Sequence, residues 1–289
     1  MTAVTGEAPV AARRFPGPRG LFLAMVRTHR TALWFWLGLV AVAAAALLWA
    51  LGPGADAAWA EYREMGCHSG SPNLGCDLPG PAMLRYETTV TVVIGILFLL
   101  PTLTGAWAGG ALIGRELEDG TAQLAWTQSV TPARWLAAKL AVPALLLVPG
   151  TLAVTLLHRA LWSTHSDLAR AMGWREWHDD GVFEANGTLA TAHALTALAI
   201  GVLSGVLLRR ALPALGVAVA AMASLTYVLD DLRPHLWPTP PGTPSLMHKH
   251  PSSHFWPLQL VETGIVMAVA ALATATAFLV LRRRTGAAV

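Results

Sequence analysis

Thr31-Ala-Leu-Trp-Phe-Trp-Leu-Gly-Leu-Val-Ala-Val-Ala-Ala-Ala-Ala-Leu-Leu-Trp-Ala-Leu51 contains no charged side chain. A helix needs about 20 largely apolar residues to cross the hydrocarbon core of a bilayer, and this run meets that length. An open strand would leave its backbone groups unpaired in lipid, so the run reads as a helix. Working outward, five more stretches qualify, at residues 88–112, 137–160, 189–208, 211–229 and 259–281. The fifth of the six is short and opens on Pro213. The expected fold is therefore an all-α membrane protein with six transmembrane helices, occupying residues 31–284.

Composition agrees. The chain of 289 residues is 54% hydrophobic and 13% charged, with a mean hydropathy of +0.51. Soluble domains carry about twice that share of charge. A disordered chain, a nucleic-acid binder and an ordinary cytosolic enzyme all fit poorly. The net charge of +3 is too small to signal a polyanionic partner. Lysine occurs only at Lys139 and Lys249, and the arginine excess reads as coding bias without functional content.

The flanks of the first stretch add detail. Residues 1–14 read as a disordered cytoplasmic tail and 285–289 as a short cytoplasmic tail. Residues 15–30 form an expected interfacial helix, with Leu21, Phe22 and Met25 in the headgroups and Arg27 and Arg30 facing phosphate. A plain charged flank is the alternative. The apolar run that follows is long enough to span, which argues against a cleaved signal peptide.

Basic residues orient the bundle. One side collects 13 of them, anchored by Arg209-Arg210 and Arg282-Arg283-Arg284, against 7 on the other. The richer side is expected to be cytoplasmic and to hold both termini. Cys67 and Cys76, the only cysteines, both fall in the first outer loop, on the oxidising side. A disulfide there would stabilise the loop by roughly 2–3 kcal/mol. Two free thiols are the alternative, and two ligands are too few for a metal site.

Catalytic motifs are missing. No phosphate-cradling G-x-x-x-x-G-K-[ST] loop, no G-x-S-x-G elbow and no H-E-x-x-H helix occurs. The chain is expected to be neither an enzyme nor a cofactor binder. His248, His250 and His254 invite a metal reading, but the first two share a face only if extended, the last two only if helical. Pro251 interrupts a helix starting at His250, so a solvated loop is preferred and no metal is assigned. Glu262 is the one carboxylate placed inside a span, at its outer end. A pathway role, pairing with a neighbour and ordinary interfacial placement all remain open for it. Gly105/Gly109, Gly110/Gly114 and Gly201/Gly205 have the spacing of close helix packing, within the chain or between two copies. Pro101, Pro143 and Pro149 are expected to kink the second and third helices.

The longest cytoplasmic connection, from Gly114 to Lys139, carries the functional reading. Gly120 breaks a helix after Glu118-Asp119, and Thr121 can cap a second short helix. Thr131-Pro132 is a further start signal, with threonine as cap and proline at the first helical position. Such a loop is folded and amphipathic, a surface that another protein could grip.

This segment resembles the cytoplasmic loop of the type-2 ABC exporter permeases, in which an acidic stretch is followed by Gly-Thr, a turn with proline, a basic residue and a lysine entering the next helix. The matching positions are Glu116, Glu118, Gly120, Thr121, Thr131, Pro132, Arg134 and Lys139, with Trp135 beside them. The resemblance extends to an N-terminal elbow helix, six spans and cytoplasmic termini. It implies that the loop is a coupling helix docking on a separate ABC-type ATPase subunit, which would bind ATP and Mg. It also implies a second permease copy, as homo- or heterodimer, in the plasma membrane, surrounded by lipid and without nucleic acid. The implied function is export of an amphipathic or lipophilic substrate by alternating access. The first two outer loops are longer than the minimal family pattern. A permease-like sensor or assembly protein and an ion-coupled carrier are the alternatives.

Overall fold

The computed structural model describes residues 27, 30–67, 79–127, 130–171, 175–239, 242, 244 and 246–286. The expected tail 1–14 and almost all of the expected interfacial helix at 15–30 lie outside these residues, as does Cys76. Among the described residues the secondary structure is helical throughout.

Six helices are long and apolar enough to cross a membrane: Arg30–Glu64, Pro81–Glu118, Pro132–Arg170, Leu189–Leu208, Ala211–His235 and Ser252–Thr285. They are called the first to sixth helices below. Two short helices, Thr121–Thr127 and Asp180–Ala185, lie between the long ones.

The fourth helix forms the axis of the bundle. Its apolar stretch is 67% buried, against 22–39% in the other five. Sequence explains this: alanine, glycine, serine and threonine recur on every side of it, so every side can be approached closely. The second helix crosses it backbone against backbone. A Cβ at Gly109 would lie 2.3 Å from the Leu198 carbonyl oxygen, and one at Gly201 would lie 2.8 Å from the Gly110 nitrogen. The glycine spacings thus serve packing within the chain, with Gly105, Gly109, Gly201 and Gly205 at the second–fourth crossing. Gly110 and Gly114 instead face the start of the fifth helix. A π-helical turn at Trp107–Ala111 widens the second helix at this crossing.

The other departures from regular helix are paired. The first helix has a π-helical turn at Ala50–Gly54. The third runs through Pro143 and Pro149 and leaves helical dihedrals at His165 (φ −127°, ψ 19°). The two irregular places meet, since His165 Nε2 donates to the Leu51 carbonyl at 2.9 Å. Beyond the end of the first helix, Cys67 is disulfide-bonded. Glu61 caps the second helix, accepting from the backbone nitrogens of Ala82 and Met83 at 2.8 Å each.

Candidate functional site

The connection between the second and third helices is built around one carboxylate. Glu116, near the end of the second helix, accepts from Trp135 Nε1 at 3.1 Å and forms an ion pair with Lys139. Both partners are buried on the first turns of the third helix. The backbone carbonyl of Glu116 also accepts from the Thr121 hydroxyl at 3.2 Å. Three of the motif positions, Glu116, Thr121 and Lys139, therefore converge on one node together with Trp135.

The chain reaches that arrangement through two local devices. Gly120 takes a positive φ of 74°, which lets the chain turn between Glu118 and the helix starting at Thr121. Thr131 accepts from the Arg134 backbone nitrogen at 3.3 Å, and Pro132 opens the helix. Thr121 begins its helix too, but its hydroxyl donates backwards to Glu116 rather than capping.

The short helix Thr121–Thr127 has two faces. Ala122 is buried, and Trp126 stacks edge-on against Trp135 with centroids 5.6 Å apart. Thr121, Thr127 and Leu124 face outward, Leu124 being 59% exposed. Thr131 and Arg134 are exposed beside them. Glu118 leaves the node and accepts from the Ala211 nitrogen at 3.1 Å, at the start of the fifth helix. Arg284 of the sixth helix donates to the Val206 and Leu207 carbonyls at the end of the fourth. A cavity of about 240 Å³ separates the short helix from these two ends.

At the opposite end of the bundle lies a second charged constellation that the sequence did not reveal. Glu262 is fully buried and meets Arg233 in a two-pronged pair, Nε to Oε2 at 2.8 Å and Nη2 to Oε1 at 2.9 Å. Arg233 also reaches Asp230 at 2.7 Å and Glu184 at 3.4 Å, and its guanidinium lies 4.7 Å from the Phe183 ring centre. Glu262 thus sits in a closed network. Arg233 lies 29 residues from Glu262 and 49 from Glu184 in sequence, so only the fold brings them together.

The histidines of the connection between the fifth and sixth helices behave unexpectedly. His250 and His254 approach within 3.0 Å through their Nδ1 atoms although no helix joins them. Pro251 and the 3₁₀ turn at Ser252–His254 make the approach possible. His250 Nε2 donates to the Pro234 carbonyl at 3.1 Å, so its Nδ1 is the acceptor and His254 the donor when His250 is neutral. His248 stays exposed. Among the described residues no group of three or more histidines, cysteines or acids is placed to hold a metal ion.

With six membrane-length helices and a folded loop between the second and third, one comparison decides the family. The family model described as ABC-2 membrane transporter related matches residues 37–233, more than half of the chain. The chain belongs to this family. No curated protein and no solved structure matches it. As an ABC-2 transporter-related protein it is a multi-pass membrane protein of the transporter permease type. Membrane components of the ABC-2 family are generally not themselves catalytic, and they generally work with an ATPase subunit.

Proposed function

We propose that this chain is the permease subunit of an ATP-driven exporter, and that the segment from Glu116 to Lys139 is its coupling element. What supports the reading is the Glu116 node. One carboxylate joins the end of the second helix to Trp135 and Lys139 of the third, and its backbone holds Thr121 of the short helix. A push on the exposed Thr121, Leu124 and Thr127 therefore bears on two long helices together. Glu118 carries the same push to the fifth helix through Ala211.

In this reading a separate ABC-type ATPase binds ATP and Mg, and its closure moves the short helix. Two permease copies, identical or different, form the pathway. The end bearing the loop faces the cytoplasm with both termini, and the Arg233 end faces outward from the cell membrane. Cys67 and Cys76 would then be joined on the oxidising side. The cargo is amphipathic or lipophilic. Support for that comes from a cavity of about 80 Å³ between the first three helices, lined by apolar residues such as Leu33, Trp36, Trp107 and Leu146, with Lys139 at its edge.

The test is affinity purification of the tagged chain from its native membrane in mild detergent, followed by mass spectrometry and an ATPase assay. A nucleotide-binding subunit should co-purify at about one copy per permease, and should be lost when Thr131-Pro132-Ala133-Arg134 is replaced by Gly and Ser. A chain that emerges alone, even after crosslinking in membranes, would overturn the coupling assignment.

A further inference from the structure

Four described basic residues are withdrawn from solvent rather than exposed: Lys139, Arg159, Arg175 and Arg233. Three of them meet a carboxylate. Lys139 pairs with Glu116, Arg175 with Glu87 at 2.7 Å, and Arg233 with Glu262 at 2.8 Å. Arg159 has no such partner among the described residues. Its Nη1 donates to the Asn186 carbonyl at 3.1 Å, and its guanidinium lies 4.6 Å from the Trp256 ring centre and 5.8 Å from that of Phe255. A half-desolvated cation held only by ring faces and one carbonyl lacks its counter-charge. A guanidinium carries five N–H donors, so most of its donors remain for oxygen atoms from outside the chain.

Space for those oxygens is present. A cavity of about 250 Å³ lies against Arg159, walled by Trp162, Trp177 and Trp256 and edged by Ser163 and Ser252. It lies at the end of the bundle opposite the loop. Tryptophans collect where headgroups meet hydrocarbon. Leu156 stands one turn deeper on the same face of the third helix, and Leu260 one turn deeper on the same face as Trp256. They are 56% and 60% exposed, apolar side chains turned to where lipid tails run. The arrangement offers a cation and hydroxyls at headgroup depth and an apolar track beneath.

We infer that this cavity binds an anionic phospholipid of the leaflet at that end, with its phosphate on Arg159 and its acyl chains along Leu156 and Leu260. The guanidinium fork matches two phosphate oxygens. The tryptophan walls exclude water from the contact and strengthen it. The site stands apart from the coupling loop and does not depend on the exporter reading.

Native mass spectrometry of the detergent-purified protein, titrated with phosphatidylglycerol, tests this. Wild type should retain the lipid at least about tenfold more tightly than Arg159→Gln, which loses charge-assisted hydrogen bonds. Arg159→Lys, keeping the charge without the fork, should fall between them. Ser163→Trp fills the cavity from an exposed position, and should weaken retention while leaving the melting temperature unchanged. That variant decides the matter if Arg159→Gln does not fold. Inorganic phosphate in large excess should not displace the lipid. Equal retention by wild type and Ser163→Trp would overturn the site. Displacement by inorganic phosphate would show an anion site that does not recognise lipid, and would overturn the lipid assignment.

Discussion

Lys139 illustrates what a single side chain asks of its surroundings. Its ammonium is buried on the third helix, and the carboxylate that compensates it belongs to the second. Glu116→Gln keeps the shape and removes the charge, and should destabilise the protein by about 1–3 kcal/mol. Lys139→Met added to that variant should recover much of the loss, since no charge is then left without a partner. A double-mutant cycle by thermal unfolding in detergent measures this, and strictly additive effects would contradict the pairing. The glycines give a contrast of the same kind. Gly109→Ala drives a methyl group into the Leu198 backbone and should cost about 1–3 kcal/mol. Gly264→Ala, with open space around its Cβ position, should be neutral or slightly stabilising. Comparable melting temperatures for the two variants would mean that the second–fourth crossing is looser than described.

The short helix Thr121–Thr127 is too brief to hold itself together and depends on what it packs against. Ala122 and Trp126 supply the packing, leaving Leu124 on the free face. Leu124→Asp should therefore leave the melting temperature of the purified chain unchanged and abolish co-purification of an ATPase. Loss of both together would move Leu124 into the fold rather than the docking surface. Thr131→Ala removes a cap worth about 1 kcal/mol and should fray the first turn of the third helix, read as faster amide exchange at Arg134 and Trp135. The turn chemistry of this segment was legible in the sequence, because Gly120 and Thr131-Pro132 act on their immediate neighbours. The convergence of Glu116 with Trp135 and Lys139 was not, because the three are separated by 19 and 23 residues and only the fold of the loop brings them together.

Across the molecule, six helices could be read from uninterrupted apolar stretches, since lipid demands them one segment at a time. The order of packing could not. Small-residue spacing on the second and fourth helices announced close contact without naming the partner, and the central place of the fourth emerges only when its neighbours surround it. Arg233 was the larger omission. It stands close to Asp230 and Asp231 in sequence, whereas Glu262 and Glu184 lie 29 and 49 residues away. In the fold it joins the end of the fifth helix, the sixth helix and the Asp180–Ala185 segment. Arg233→Ala leaves three acids facing one another and should cost about 3–5 kcal/mol. Glu262→Gln should cost clearly less, because Asp230 and Glu184 still compensate the guanidinium. Equal losses in a melting experiment would show that the Glu262 contact alone sustains the network.

The same network bears on how the chain is made. Arg233 leaves the ribosome 29 residues before Glu262 and 49 after Glu184. Elongation runs at about 5–20 residues per second, so the guanidinium spends seconds without its two-pronged partner. During that interval Asp230 and Glu184 are the acids already synthesised nearby. Insertion of the sixth helix then delivers the carboxylate that completes the set, which makes arrival of the last helix the step that closes this end of the bundle.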